Sequence, residues 1–196
     1  MTGHLPRAIP LFADAGVPMI FLTMPAMAVL LVPVIAIEAF LCRKWLGLST
    51  WQAIKSNTVS NLASTIVGMP IAWTGMLVIE FGVFGLASNF KAVENWNSPL
   101  AKVISIVLSS AWLGPPGRND AWVIPLATLV LLIPFFFVSY WIEYLTVRWM
   151  VGIPDEQPPK LSYPRIRKAV RNANLVTYGL MFLGTSIWLV LLLARH

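Results

Sequence analysis

The chain has 196 residues, enough for one domain, and 58% of them are hydrophobic and 11% charged, where soluble domains average about 45–50% and about 25%. A soluble fold of this size would expose large apolar patches, so lipid is the expected solvent. The formal charge of +6 does not indicate a nucleic-acid partner, because the basic residues cluster in short turns between apolar runs, as on the cytoplasmic side of membrane proteins.

Cys42 is the sole cysteine, and His4 and His196 stand at the chain ends. This excludes an internal disulfide, a thiolate metal cage and a haem held by histidine within a span. No metal or cofactor is expected. Residues 1–16, with Arg7 the single basic side chain and Asp14 next to the apolar run, do not read as a cleavable signal. They read as an interfacial lead.

From Ala15 to Ile37 no charged residue occurs, and about 20 apolar residues cross a hydrocarbon core of about 30 Å. The first span is set at about 17–42, kinked by Pro18, Pro25 and Pro33 and closed by Arg43, Lys44 and Trp45 as an interfacial anchor. Gly47 ends this helix and Ser49 or Thr50 caps the next turn. The second span covers about 57–80 and stops at Glu80, before a polar loop. The apolar run from Val103 to Leu113, with Trp96 and Trp112 near its ends, is too short to span, and an interfacial helix is predicted over about 100–113. GPPGRND, from Gly114 to Asp120, is a loop. The third span covers about 121–148, a Pro-rich connector follows to Pro164, and the fourth span covers about 172–194.

The fold class is therefore all-α and membrane-integral: one membrane domain over 1–196, with four spans as two tandem hairpins over about 17–85 and 121–194. The two hairpin turns carry nine Lys and Arg, and the opposite side carries five. Excess positive charge marks the cytoplasm, so both termini are expected on the periplasmic or lumenal side of a bacterial inner or thylakoid membrane. A shift of 105 residues carries Ile37, Glu38, Arg43 and Gly47 onto Ile142, Glu143, Arg148 and Gly152. A shift of 116 carries Ala53-Ile54-Lys55-Ser56 onto Ala169-Val170-Arg171-Asn172 and Gly68 onto Gly184. Duplication of a two-helix unit accounts for this, as a parallel repeat.

Acidic residues near a span are expensive, so Glu38 and Glu143 lead the candidates. One reading pairs them with Arg43 and Arg148 as ion pairs in the last helical turns; the other makes them a proton- or cation-linked pair facing each other across a pseudo-two-fold axis. Asn57, Asn61, Ser64, Gly68, Ala72 and Gly75 recur every three or four residues. They form one face for close helix packing, with a polar pocket as the alternative. The matching face of the fourth span carries Asn174, Tyr178, Met181, Gly184 and Trp188. Arg165, Arg167, Lys168 and Arg171 are candidates for anionic lipid headgroups. Most of the nine tryptophans fall at span ends and read as interfacial anchors.

The IEA-x3-R-x3-G turn, followed by the Asn and Ser stripe and Gly68-Met69-Pro70, resembles small uncharacterised polytopic membrane proteins of bacteria, including cyanobacterial ones. The resemblance covers residues 31–73; it implies a bacterial membrane and no activity. No phosphate loop, G-x-S-x-G or HExxH is present, so no enzyme is expected. The first expectation is an accessory or scaffold subunit packing against other membrane subunits or against itself. The second is a small homo-oligomeric transporter or channel with a polar path through Glu38, Glu143, Asn57 and Asn61.

Overall fold

The computed structural model describes residues 17–87, 107, 110–113, 121–152 and 161–195. Most of the expected interfacial helix at 100–113, the GPPGRND loop, the polar loop after residue 87, the lead at 1–16 and the connector up to residue 160 lie outside them.

Four helices in the structure are long and apolar enough to cross a membrane. Helix α1 is Met19–Leu46. It begins after a two-residue strand, β1 (Val17–Pro18), which pairs antiparallel with β2 (Trp112–Leu113). The helix therefore starts two residues later than the expected span start at about 17, because Pro18 sits extended before it. The end of the expected interfacial helix, Trp112 and Leu113, is likewise extended. Main-chain pairing holds that segment in place, with Ala111 O accepting from Met19 N at 3.1 Å and from Trp73 Nε1 at 2.8 Å.

Gly47 stops α1 in the left-handed conformation, φ 72°, and its N–H reaches Arg43 O at 2.9 Å. Only glycine adopts that conformation at no steric cost. Two residues on, Ser49 opens α2 (Thr50–Ala63) with a reciprocal capping box to Gln52, both bonds at 3.2 Å. A π-helical turn, Ser64–Gly68, joins α2 to α3 (Met69–Ala87). Helices α4 (Val123–Gly152) and α5 (Tyr163–Leu193) form the second pair, and the main packing is within each pair and across from α1 to α5 and from α2 to α4.

Large apolar side chains such as Val29, Phe40, Phe137 and Leu183 point outward, while the interior holds Glu38, Glu143, Asn61, Asn174, Ser64 and Thr177. This inside-out pattern is what lipid as the solvent produces, and it supports a multi-pass membrane protein.

Both α1 and α4 continue past the expected span ends of 42 and 148. Arg43, Lys44 and Arg148 are helical and exposed, since long basic side chains let a helix run on while their charges reach polar surroundings. The glutamates consequently lie deeper than the last turn, about 12–13 Å from the ends of α1 and α4 at about 1.5 Å per residue.

Candidate functional site

Helix α1 supplies Glu38 and α4 supplies Glu143, and the two carboxyl groups share one side-chain hydrogen-bond cluster, with Asn61 and Ser64 from one segment and Asn174 and Thr177 from another. Both are buried, at 1% and 3% exposure. Around them stand four neutral donors. Asn61 Nδ2 donates to Glu38 Oε2 at 2.7 Å, and Thr177 Oγ1 donates to Glu38 Oε1 at 2.7 Å. Ser64 Oγ donates to Glu143 Oε1 at 2.9 Å, and Asn174 Nδ2 donates to Glu143 Oε2 at 2.5 Å. Each carboxyl oxygen thus receives one side-chain hydrogen bond.

The arrangement has a rule. Each glutamate takes an amide from the asparagine of its own helix pair and a hydroxyl from the other pair. Each asparagine also bonds the carbonyl four residues before it in its helix, Asn57 O at 3.0 Å or Val170 O at 3.2 Å. The donors sit in two copies of one motif, Asn61-Leu62-Ala63-Ser64 and Asn174-Leu175-Val176-Thr177, related by a shift of 113 residues.

That shift also relates the buried faces. Ala53, Ser56, Asn57, Ser60, Asn61 and Ser64 are buried on the first pair. The same shift gives Ile166, Ala169, Val170, Ala173, Asn174 and Thr177, the buried set of α5. It carries the cap position Ser49 onto Ser162 as well. The correspondence by 116 residues is therefore corrected to 113, and Gly68 and Gly184 are not equivalent. The shift of 105 for α1 and α4 agrees with their packing, since it carries buried Ala39 and Cys42 onto buried Tyr144 and Val147.

The ion-pair reading is replaced. Neither glutamate touches an arginine: Arg148 lies over the Tyr163 ring at 4.0 Å, and Arg43 is exposed. No Lys or Arg among the described residues offsets the charge of the pair. A carboxylate only accepts hydrogen bonds, and the four neutral donors between them serve all four oxygens. Two carboxyl groups in one buried cluster without a cation repel each other when both are ionised, which favours a proton on one of them, as for two carboxyls that share one site.

Of the small-residue stripe, Asn61 and Ser64 reach the carboxyl pair and Gly68 packs tightly. A Cβ at Gly68 would stand 3.0 Å from Ile142 Cδ1, so the absent side chain sets the approach of the π-turn to α4. A π-turn is a frequent companion of functional positions; here it immediately follows the Asn61 turn. Ala72 is buried, whereas Gly75 faces open space and is not part of the packing face. Asn57 is buried but donates to Ala53 O at 2.8 Å within its own helix, away from the carboxyl pair.

The basic cluster splits. Arg165 donates to Trp45 O at 2.9 and 3.2 Å, tying the start of α5 to the end of α1. Arg167 donates to Tyr140 OH at 2.8 Å and lies 5.5 Å from the Trp141 ring centroid. Arg171 reaches only its neighbour Asn172, at 3.5 Å, and Lys168 is exposed. These last two keep their charge turned outward.

Two further groups border the pair. Tyr178 donates to Ser139 Oγ at 2.8 Å, and both line a cavity of about 30 Å³ with Asn61, Ser64 and Glu143. That volume suffices for one water. Sequence reasoning placed Asn174 and Tyr178 on one face of the fourth span but did not single out Thr177; the repeated Asn-Leu-x-Ser/Thr motif was the signal available.

Comparison with family descriptions, with curated proteins and with solved structures returned no match.

Proposed function

We propose that the chain is a membrane-embedded pair of tandem hairpins and a small proton-linked transporter, with the Glu38–Glu143 pair carrying the exchangeable proton. One observation supports this above all: two buried carboxyl groups share one hydrogen-bonded cluster in the interior and are held by neutral donors alone. Ionisable groups within spanning helices are costly, and they mark proton and ion pathways. A purely structural polar contact is met by Asn, Ser and Thr without any carboxylate.

The hydroxyl bonds also join one hairpin to the other. Loss of the exchangeable proton would leave two like charges in one cluster at that joint, and transporters built from repeats work by moving one repeat against the other. The basic residues at the α1–α2 and α4–α5 connections favour a cytoplasmic position for those ends, in a bacterial inner or thylakoid membrane. An accessory subunit needs only the apolar outer faces, which lipid also covers, and leaves the carboxyl pair without a task.

The test is infrared difference spectroscopy of the full chain in lipid across a pH series. A protonated-carboxyl band that shifts in D2O and disappears in the double variant Glu38→Gln/Glu143→Gln supports the reading. A folded wild-type protein with no such band overturns it.

A further inference from the structure

A cavity of about 470 Å³ opens between α1, α4 and α5, and Thr177, the donor to Glu38, forms part of its wall. Its lining is apolar, with Met27, Leu30, Val34, Leu132 and Met181 prominent and no Asp, Glu, Lys or Arg. Small-molecule sites have this size and character, with a few polar groups that orient the ligand. Three threonines supply those groups. Thr128 donates to Ile124 O at 2.8 Å in its own helix, and Thr177 is engaged with Glu38 at 2.7 Å. Thr185 makes no hydrogen bond to any described residue.

A charged ligand would shed its hydration in this cavity without gaining a partner. A saturated hydrocarbon offers the Thr185 hydroxyl nothing beyond the carbonyls of its own helix, whereas an acceptor on the ligand gives it a partner in the cavity. We infer that the cavity binds an uncharged, lipophilic molecule with one hydrogen-bond acceptor, a ketone, ester or quinone type of oxygen, which Thr185 meets while the apolar body lies along α1 and α5. The inference rests on the proton-linked reading: Thr177 sets the ligand against the carboxyl pair, and the molecule is the substrate class of the transporter.

Two glycines of α5 provide the discriminating variants. A side chain at Gly184 or at Gly179 meets nothing within 4 Å, yet only Gly184 lines the cavity. Gly184→Phe therefore adds bulk at the cavity wall from a Cβ that meets no neighbour, and Gly179→Phe adds the same bulk to an exposed surface.

The full chain in phosphatidylcholine nanodiscs is photolabelled with a diazirine-bearing long-chain ketone, and the adducts are mapped by mass spectrometry. Labelling of the cavity wall around Met27 and Met181 is expected. Excess unlabelled ketone and Gly184→Phe should abolish it, and Gly179→Phe should leave it intact. Labelling spread evenly over the outer faces and indifferent to Gly184→Phe would mean that lipid chains fill the groove, and overturns the proposal. A diazirine alkane that labels the wall as well as the ketone, with Thr185→Val without effect, overturns the acceptor assignment. The carboxyl band of the infrared experiment separates the two readings. The band present with no specific labelling overturns this inference alone, and the band absent overturns the proton reading.

Discussion

Thr177 donates its hydroxyl to Glu38 at 2.7 Å, and these residues, 139 positions apart, belong to different helix pairs. Ser64 repeats the relationship with Glu143 at 2.9 Å. The joint between the two halves of the molecule is thus a reciprocal exchange of hydroxyls. Hydrogen bonds between membrane helices average about 0.6 kcal/mol and reach about 1.7 kcal/mol. Thr177→Val should cost about 1 kcal/mol in unfolding measured in mild detergent, and Thr177→Ser should recover most of it. A valine variant as stable as wild type would show that the bond does not hold the halves together.

Glu143→Gln and Glu143→Ala should part company. Glutamine keeps the volume and an acceptor for Ser64, so the variant should fold with a loss of about 1 kcal/mol. Alanine leaves a void and strips Ser64 and Asn174 of their carboxyl acceptor, leaving them only the carbonyls of Asn61 and Val170 in their own helices, which should cost about 2–5 kcal/mol. Size-exclusion chromatography with thermal unfolding distinguishes them; equal losses would mean that the carboxyl pair's surroundings collapse readily around either change.

Gly68 and Ile142 should be energetically coupled. Gly68→Ala pushes a Cβ to 3.0 Å from Ile142 Cδ1, and overpacking of this kind typically costs about 1–3 kcal/mol. Ile142→Val should relieve most of that loss in the double variant. Gly75→Ala, with open space around it, should be neutral or stabilising by up to about 1 kcal/mol, as for Gly to Ala in a helix.

Ser49→Ala removes the capping box with Gln52, and loss of such a cap costs about 0.5–2 kcal/mol. Ser162 occupies the equivalent position on α5 but makes no side-chain cap bond. Ser162→Ala should therefore leave the unfolding midpoint unchanged where Ser49→Ala lowers it.

Cys42 is fully buried next to the carboxyl pair. A maleimide should fail to label it in the folded protein and label it fully in denaturant. Labelling without denaturant would mean that the core around α1 opens spontaneously.

Composition and charge spacing by themselves determined the number and character of the long helices. Four uncharged runs, each long enough to cross a hydrocarbon core, point to four apolar helices, and the structure carries four helices long and apolar enough to span a membrane. The singular status of Glu38 and Glu143 was equally legible, because a carboxyl group inside a long apolar run stands out whatever its partners. The helix ends were not legible from charge. Arg43 and Arg148 interrupt the apolar pattern, but a basic side chain can extend outward from a continuing helix, so the charge boundary and the helix boundary differ.

Only the tertiary structure decided which donors meet which carboxyl. Sequence comparison aligned the second and fourth spans on resemblance of residue type near their starts, three residues out of register. The true register is set by the face each helix must bury, and a three-residue error turns that face by only about 60° while sliding it about 4.5 Å along the axis, so residue types near the helix start still look alike. Three-dimensional packing also removed the arginines as partners. The carboxyl pair lies between one and two turns below them, and Asn61, Ser64, Asn174 and Thr177 already donate to every oxygen of the pair. Pairing across 139 residues depends on where whole helices lie, and that is information no local pattern in the chain contains.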